Sequence, residues 1–324
     1  MKSMLRIALW LAVCAFANAA LADTYPDKPV KIIAPFAPGG PTDFIARVLA
    51  DKLSTALGKQ FFVANQAGAS GNIGTGMAAT SPADGYTLVI SSTGFMMNPL
   101  LFDKVPYDAV KDFAPISLIA SSANVLTITP SVPAKTVKEL VALIKASPGK
   151  YSFASPGIGS TPHLAADLLR VSQGLDIVAV VFGGAGPAIQ STIGGHTPLA
   201  FSALGPAVPQ VKAGLLRALA VTSNKRAPVL PDVPTMAEAG YPGQESFTLT
   251  GILAPAGTPK EIVTRLHAEI AKLVATPEVR ERFDAQGFDP VASTPEEFAA
   301  RITFEMEKWG KIIKDAGIKP ITSK

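Results

Sequence analysis

The sequence predicts an α/β fold in which two similar lobes are joined by two crossing segments. Short apolar runs of β-prone residues alternate with segments of helical spacing along the 324-residue chain. A strand, a Pro-Gly loop and a helix follow each other twice, in residues 32–49 and again in residues 151–169. Apolar segments at residues 116–128 and 247–253 are placed to carry the chain between the lobes, and the length suits two lobes. The predicted division is a leader at residues 1–22, a first lobe of residues 23–122 and 249–324, and a second lobe of residues 123–248.

The first 22 residues have the pattern of a cleavable secretory signal peptide. Lys2 and Arg6 precede an apolar run, and an Ala-Leu-Ala cleavage site ends at Ala22. The apolar run is too short to span a bilayer. Cys14 is the single cysteine and lies inside this leader. The rest of the chain therefore offers no disulfide, thiolate metal site or cysteine nucleophile.

Composition and motifs give no sign of a cofactor, a metal or a nucleic-acid partner. Without Lys2 and Arg6, the 29 basic residues become 27 and nearly balance the 25 acidic ones, so the charge offers no attraction for nucleic acid. The three histidines lack metal-ligand spacing, and neither a Walker loop nor a Gly-x-Ser-x-Gly elbow is present. Residues 74–79 match a dinucleotide fingerprint in form only, because no strand leads directly into Gly74.

The loop after the first strand is the first candidate ligand site. The strand is predicted at residues 30–34, and a helix is expected from Pro41 to about Leu57 with Gly40 as its N-cap. The glycines leave backbone N–H groups uncovered, and the absence of Lys and Arg favours a carboxylate or a neutral polar group. A tight turn without a ligand is the alternative. The candidate binding residues are Phe36, Pro38, Gly39, Gly40, Thr42 and Asp43.

Two more loops of the first lobe are expected at the same edge of the sheet. Strands are predicted at residues 61–63 and 86–91, and the carboxyl ends of parallel strands line the crevice of an open α/β sheet. A glycine-rich loop follows the first of these strands, and hydroxyl residues end the second. The candidate binding residues are Gly68, Ala69, Ser70, Gly71 and Asn72 in the one loop and Ser91, Ser92 and Thr93 in the other.

The second lobe repeats this arrangement. A strand begins near Tyr151, and the loop after it carries hydroxyls at the start of a helix. Two helix starts that suit an anion, one in each half, indicate a ligand clamped between the lobes. The candidate binding residues are Ser155, Gly157, Gly159, Ser160, Thr161 and His163 in that loop, Phe182, Gly183, Gly184 and Ala185 in a later glycine-rich loop, and Ser202 at the end of a strand.

The remaining predicted elements complete the second sheet and a helical tail. Strands are expected at residues 177–181, 199–202 and 216–222. Capping boxes are expected to open helices at Thr136, Thr258 and Thr294, each with Glu three residues later.

These motifs together resemble one protein family. Residues 36–43 read Phe-Ala-Pro-Gly-Gly-Pro-Thr-Asp, residues 84–88 read Asp-Gly-Tyr-Thr-Leu, and residues 155–160 read Ser-Pro-Gly-Ile-Gly-Ser. The combination is similar to the Bug family, the TctC-like periplasmic solute-binding proteins of tripartite tricarboxylate transporters. Further matching segments extend over the chain beyond the leader, at residues 68–74, 216–222, 231–235 and 254–259.

The resemblance implies a type II periplasmic-binding fold that closes on a small carboxylate. In that family, backbone amides and ordered waters at the first two loops hold the carboxyl group. The resemblance also implies a periplasmic protein that acts with membrane permease subunits, and we expect a monomer. Asp43 is expected to cap its helix, because a negative side chain aimed at a carboxylate would repel it.

The chain departs from the usual family pattern in the second lobe. Phe182-Gly183 stands where the family often has Tyr-Lys, and Ser202 stands where it often has Asp. These positions lose a hydroxyl, a positive charge and a negative charge. The change favours a mono- or dicarboxylate with an apolar or aromatic body over an amino acid.

Two other functions remain open at this point. One is a ligand-sensing periplasmic subunit that docks to a membrane receptor. The other is a secreted hydrolase or lyase that uses His163 with Ser160 or Ser155.

Overall fold

The computed structural model describes residues 25–315. The predicted signal peptide at residues 1–22 lies outside the described residues. Within the described range, no helix is long and apolar enough to cross a membrane. The order of the elements confirms the alternation of strands and helices that the sequence predicts.

The first part of the chain runs from the first strand to the long strand that leaves the first lobe. Its elements are β1 (Val30–Ala34), α1 (Pro41–Leu57), β2 (Phe61–Asn65), a short 3-10 turn (Ala69–Gly71), α2 (Asn72–Ala79), β3 (Thr87–Ser92), α3 (Gly94–Leu101) and β4 (Phe113–Ile128).

The second part forms the other lobe and returns to the first. The outward elements are α4 (Val137–Lys145), β5 (Ser152–Ser155), α5 (Thr161–Gln173), β6 (Val178–Val181), α6 (Ala185–Ile193), β7 (Leu199–Ala203), α7 (Leu204–Lys212) and β8 (Arg217–Val221). The returning elements are β9 (Phe247–Pro255), α8 (Lys260–Ala275), α9 (Pro277–Asp284), β10 (Asp289–Pro290) and α10 (Pro295–Asp315).

Helix α1 begins and ends where its sequence predicts. Gly40 is the N-cap in an extended conformation, and Pro41 takes the first helical position, where its missing N–H is not needed. Gly58 ends the helix with φ of 68°, a left-handed conformation that suits glycine, and its N–H bonds to the Ser54 carbonyl. Leu49 lies on the buried face of the helix. The helix start is therefore fixed next to the end of β1.

Parallel pairing brings three loops of the first lobe to one edge of its sheet. Strand β1 lies between β2 and β3, and both pairings are parallel. Strand β9 follows β3 in antiparallel orientation. In the second lobe, β5 lies between β6 and β7, again in parallel. Because the carboxyl ends of β1, β2 and β3 share an edge, the loops that follow them meet there.

The sheet of the first lobe is buried on both faces. Ile32 packs in one apolar cluster with Leu49 and Leu266, which come from α1 and α8. Val89 packs on the other face with Trp309 of α10. Each fully buried side chain of this size contributes roughly 1.5–3 kcal/mol, so both helical layers hold the sheet edge in place.

The crossing between the lobes is made by one uninterrupted strand, β4. Residues Phe113 to Ala123 pair with β9, whereas Asn124 to Ile128 pair with β7 and β8. The predicted strand at residues 116–128 and its predicted return at residues 247–253 are both present. The pairing supports a first crossing between Ala123 and Asn124, while the predicted lobe boundaries themselves stay a prediction.

Two helices and one helix cap differ from the sequence-based expectations. Helices α3 and α7 were not predicted, and both contain an internal proline, Pro99 and Pro209, which hides a helical signal. The capping box at Thr258 is wrong. The Thr258 hydroxyl donates to the Pro255 carbonyl instead, and α8 has no side-chain cap. The box at Thr294 is complete, with both reciprocal hydrogen bonds to Glu297.

Candidate functional site

The Pro-Gly-Gly loop that precedes α1 lies directly against the glycine-rich loop that precedes α6. The Ala37 N–H donates a hydrogen bond to the Gly183 carbonyl oxygen at 2.9 Å. A Cβ added to Gly40 would lie 3.6 Å from the Ala185 Cβ. The two loops therefore meet across the cleft and close one side of it.

Between the lobes lies a cavity, the inner chamber, with an empty volume of about 440 Å³. Hydroxyl side chains from both lobes line it, and none of its lining residues is charged. The hydroxyl residues are Thr42, Ser92, Thr93, Ser160, Thr161 and Thr248. The other lining residues are Phe36, Gly40, Pro41, Pro156, Pro162, Ala185 and Ala203.

The first-lobe wall of the inner chamber keeps donors that the protein does not use. Within the described residues, the hydroxyls of Thr42 and Ser92 form no hydrogen bond with the protein, although both line the chamber. Gly40 supplies no side-chain acceptor to the start of α1. Because the first N–H groups of a helix have no partner inside the helix, they stay available at this wall together with the positive end of the helix dipole.

The second-lobe wall is different, because its hydroxyls are already paired. The Ser160 hydroxyl donates to the Gly157 carbonyl at 2.6 Å and accepts the His163 N–H, so it caps α5. The Thr161 hydroxyl lies 2.7 Å from the Thr248 hydroxyl of β9. This wall therefore contributes shape and rigidity more than free donors.

Asp43 stands next to the chamber but is directed to its own loop. Its carboxylate accepts hydrogen bonds from the Gly39 N–H at 3.1 Å, Arg47 Nε at 3.0 Å and Asn65 Nδ2 at 2.9 Å. Burial alone would raise the pKa of Asp43, but these hydrogen bonds and the Arg47 charge outweigh it and lower the pKa below its usual value. The charge is thus compensated, and the loop conformation that leaves the α1 amides bare is held in place.

Ser155, His163 and Asp167 form a buried chain behind the second-lobe loop. His163 Nδ1 lies 2.9 Å from the Ser155 Oγ, and its Nε2 lies 3.3 Å from the Asp167 Oδ2. Burial would raise the pKa of Asp167, whereas His163 and Arg170 lower it, and the net change is downward. The Ser155 hydroxyl is fully buried and accepts the Gly157 N–H. A substrate has no access to this hydroxyl. The three hydrogen-bonded side chains therefore support the loop and do not form a nucleophilic site.

Several predicted binding residues lie outside the lining of the inner chamber. Ser202 is buried on β7, and its neighbour Ala203 lines the chamber instead, because alternate residues of a strand face opposite sides. The Asn72 side chain accepts from Asn98 at 2.7 Å and from the Tyr107 hydroxyl at 3.2 Å. Others outside it are Pro38, Gly39, Asp43, Ser91, Ser155, Gly157, Gly159, His163 and Gly184.

A second cavity, the outer recess, adjoins the inner chamber, and Phe36 and Pro156 line both. Its empty volume is about 670 Å³. Besides Phe36, six predicted residues line it: Gly68, Ala69, Ser70, Gly71, Phe182 and Gly183. Phe102, Ile158 and Val181 complete the lining.

Sequence reasoning missed Thr248 and the apolar residues of the recess. Thr248 sits in the return strand, where a hydroxyl among apolar residues was the available signal. Phe102 and Ile158 gave no such signal, because an apolar residue in a loop is equally consistent with the core. Their position depends on how the two lobes face each other.

Comparison with known proteins identifies the family to which the chain belongs. The model of the family described as "Tripartite tricarboxylate transporter family receptor", TctC, matches residues 45–318. The chain belongs to this family. Its members are periplasmic solute-binding proteins, which confirms the resemblance and identifies a binding protein rather than an enzyme.

Named relatives agree with this assignment over nearly the whole chain. Protein BugT of Bordetella pertussis is 36% identical over 315 residues, which cover 97% of each chain. An R. palustris protein solved with adipate is 35% identical, with a TM-score of 0.89 over 92% of this chain and 100% of that one. MatC from Rhodopseudomonas palustris, solved with bound malate, is 31% identical, with a TM-score of 0.86 over 89% of this chain and 100% of that one. These structures confirm the two-lobed periplasmic-binding fold.

Proposed function

We propose that this receptor captures a small carboxylate between its lobes in the periplasm and presents it to the membrane permease subunits of a tripartite transporter. The observation that carries the proposal is the uncharged inner chamber at the start of α1. Unused hydroxyls and bare helix amides are the donors that suit a carboxylate. Two relatives solved with carboxylates, adipate and malate, support the same chemistry.

The absence of charged residues from the chamber lining favours an anion held by neutral donors. Thr42 and the first-turn amides of α1 act from one loop, and Ser92 acts from the next. Arg47 compensates the nearby Asp43 charge, so the carboxylate of the ligand meets no uncompensated negative side chain. The field of the helix N-terminus adds roughly 0.3–1 kcal/mol, and more when it is shielded from water.

The proposed binding residues are those of the predicted set that reach the inner chamber. The remaining predicted residues support the loops: Asp43 holds the first loop, and Ser155 with His163 holds the second. The contact residues are Phe36, Gly40, Thr42, Ser92, Thr93, Ser160, Thr161 and Ala185, joined by Thr248.

The periplasmic location and the permease partner rest on the family and on the leader predicted at residues 1–22. A receptor that delivers a solute needs no cofactor of its own. We propose that it works as a monomer.

A thermal-shift panel of carboxylates tests the proposed function. The purified protein is mixed with malate, adipate, citrate and benzoate, with glucose and putrescine as ligands that lack a carboxylate. A carboxylate at 100 times its dissociation constant should stabilise the protein by about 2.7 kcal/mol if it binds only the folded state. Stabilisation by glucose or putrescine alone, with no effect of any carboxylate on a cooperatively unfolding protein, would contradict the proposal.

A further inference from the structure

The turn between β2 and α2, here called the 68–71 turn, has a strained backbone. Its residues Gly68, Ala69, Ser70 and Gly71 all have positive φ, with values of 143°, 45°, 57° and 91°. Glycine adopts such values freely, but Ala69 and Ser70 carry a Cβ that disfavours them. The turn lines the outer recess. Strain of this kind persists only where the surrounding structure holds it in place.

The side chain of Asn98 holds the 68–71 turn. Asn98 belongs to α3 and is 1% exposed. Its Nδ2 donates to the Ser70 carbonyl oxygen at 3.0 Å and to the Asn72 Oδ1 at 2.7 Å. Because a backbone carbonyl can only accept, the Ser70 contact fixes which end of the Asn98 amide is the nitrogen. Both hydrogens of this nitrogen are therefore used on the turn and on the first residue of α2.

The other hydrogen bonds of the turn are local in sequence. The backbone bonds stay within residues 68–73, and the Thr75 hydroxyl of α2 donates to the Gly71 carbonyl at 2.8 Å. A short turn with bonds of this type has little stability of its own. The bond from Asn98 to Ser70 spans 28 residues and ties the turn to a separate helix.

The oxygen of the same Asn98 amide faces the second lobe. A Cβ added to Gly159 would clash with the Asn98 Oδ1, so the second-lobe loop lies against this atom. Within the described residues, this buried oxygen has no hydrogen-bond partner. A Cβ added to Gly157 would lie 3.7 Å from the Ser70 Cα. The second-lobe loop therefore meets both Asn98 and the turn that Asn98 holds.

We infer that Asn98 is a positioning residue for ligand capture. It fixes the 68–71 turn in the conformation that lines the outer recess and meets the second lobe, although Asn98 itself lines neither cavity. This inference rests on the proposed carboxylate capture and adds a residue on which the shape of the cleft depends.

Hydrogen–deuterium exchange of the ligand-free protein tests whether Asn98 holds the turn. In peptides that span residues 66–74, Asn98→Ala should speed exchange about tenfold, because the Ser70 carbonyl and the Asn72 side chain lose their donor. The control is Val141→Ala in the core of the second lobe. It should lower the free energy of unfolding through a cavity and leave exchange in these peptides unchanged.

Calorimetric titration tests whether the turn is needed for capture. The titrant is whichever of malate, adipate, citrate and benzoate stabilises the wild type most. Asn98→Ala should weaken its binding at least about tenfold, whereas Tyr107→Phe, which keeps both Asn98 bonds, should weaken it about twofold at most. Val141→Ala should leave the affinity unchanged. Asn98→Leu fills the space without a donor, is measured in parallel and should show the same loss as Asn98→Ala.

The outcomes separate this inference from the proposed function. Wild-type exchange in residues 66–74, or wild-type affinity, in a folded Asn98 variant would overturn the inference and leave carboxylate capture intact. An equal loss of affinity in Val141→Ala would also overturn it, because the loss would then follow global stability. If none of the four carboxylates binds the folded wild type, both proposals are wrong.

Discussion

At the scale of single residues, Asp43 shows how a carboxylate can stand beside an anion site without opposing it. Its three donors come from the first loop, from α1 and from β2, so one side chain ties together three elements. The side chain of Asp43 is 7% exposed, whereas Arg47 reaches solvent. The Asp43 carboxylate therefore stabilises the loop, and the backbone N–H groups at the start of α1 stay available to an anion.

Removal of the Asp43 carboxylate should lower the stability of the fold more than it changes the affinity for the ligand. The sequence-based expectation that Asp43 caps α1 is wrong, because its carboxylate bonds the Gly39 N–H of the preceding loop and α1 has no side-chain cap. We expect Asp43→Ala to lower the free energy of unfolding by about 2 kcal/mol at pH 7, because a buried carboxylate and its charge-assisted hydrogen bonds are lost. Urea unfolding measures the change, with Asp51→Ala as a control on the exposed side of the same helix. Unchanged stability with tighter ligand binding would instead place Asp43 in the site.

The loss of stability in Asp43→Ala should depend on pH. The folded-state pKa of Asp43 is lowered, so its stabilisation is complete above the ordinary value of 3.8 and is lost as pH falls through the lower folded value. The difference in unfolding free energy between wild type and Asp43→Ala should therefore shrink below about pH 3.8. A difference that stays constant from pH 7 to pH 2.5 would contradict this origin.

Gly40 tests whether the first loop must stay bare. Its φ of −95° is open to any residue, and a Cβ there would make an ordinary 3.6 Å contact with Ala185. Gly40→Ala should therefore keep most of the affinity, whereas the branches of Gly40→Val should press the loops apart and weaken carboxylate binding at least tenfold. Circular dichroism checks the fold and calorimetry the affinity. Wild-type affinity in Gly40→Val would remove this loop from the site.

Many of the residue types that line the two cavities could be predicted, but their hydrogen-bond partners could not. Glycines and hydroxyls at strand ends are a local signal, and most of the residues so chosen reach the inner chamber or the outer recess. Whether a hydroxyl is free depends on tertiary neighbours. Thr161 is paired with Thr248, which lies 87 residues away, whereas Thr42 is left unpaired within the described residues. The choice between Ser202 and Ala203 depends on which face of β7 is turned to the cleft.

At the scale of secondary structure, periodicity and end signals predicted most elements. The apolar run of β1 and the Gly-Pro start of α1 coincide with the observed bounds. Strand β4 was predicted in spite of its polar centre. Ser122 and Asn124 are tolerated there because their side chains are hydrogen-bonded to Gly287 and Ser246. Prolines inside α3 and α7 conceal helices, since packing overrides local preference.

At the scale of the whole molecule, contact between the two lobes closes one side of the cleft. The Ala37–Gly183 hydrogen bond and the contact of the two loops block entry to the inner chamber on that side. A network of hydrogen-bonded polar groups lies where β4 and β9 pass between the lobes. The Thr222 hydroxyl donates to the Ser246 carbonyl, and the Thr248 hydroxyl donates to the Asn124 side-chain oxygen. Such a network resists local unfolding of β4 and β9. We therefore expect the lobes and their loops to move around these strands when the cleft opens.

Ligand should therefore draw the lobes together, and contacts in both lobes should control its affinity. We expect a saturating carboxylate, the one with the largest thermal shift, to lower the radius of gyration measured by solution scattering. Thr161→Val removes the hydroxyl that joins α5 to β9 and should weaken binding about fivefold, because that hydrogen bond, roughly 1 kcal/mol, supports the chamber wall that holds the ligand in the closed form. Thr55→Val, an exposed position on α1, is the matched control. If the radius stays unchanged and Thr161→Val binds like wild type, the second lobe does not hold the ligand, and the carboxylate belongs to the first-lobe loops alone.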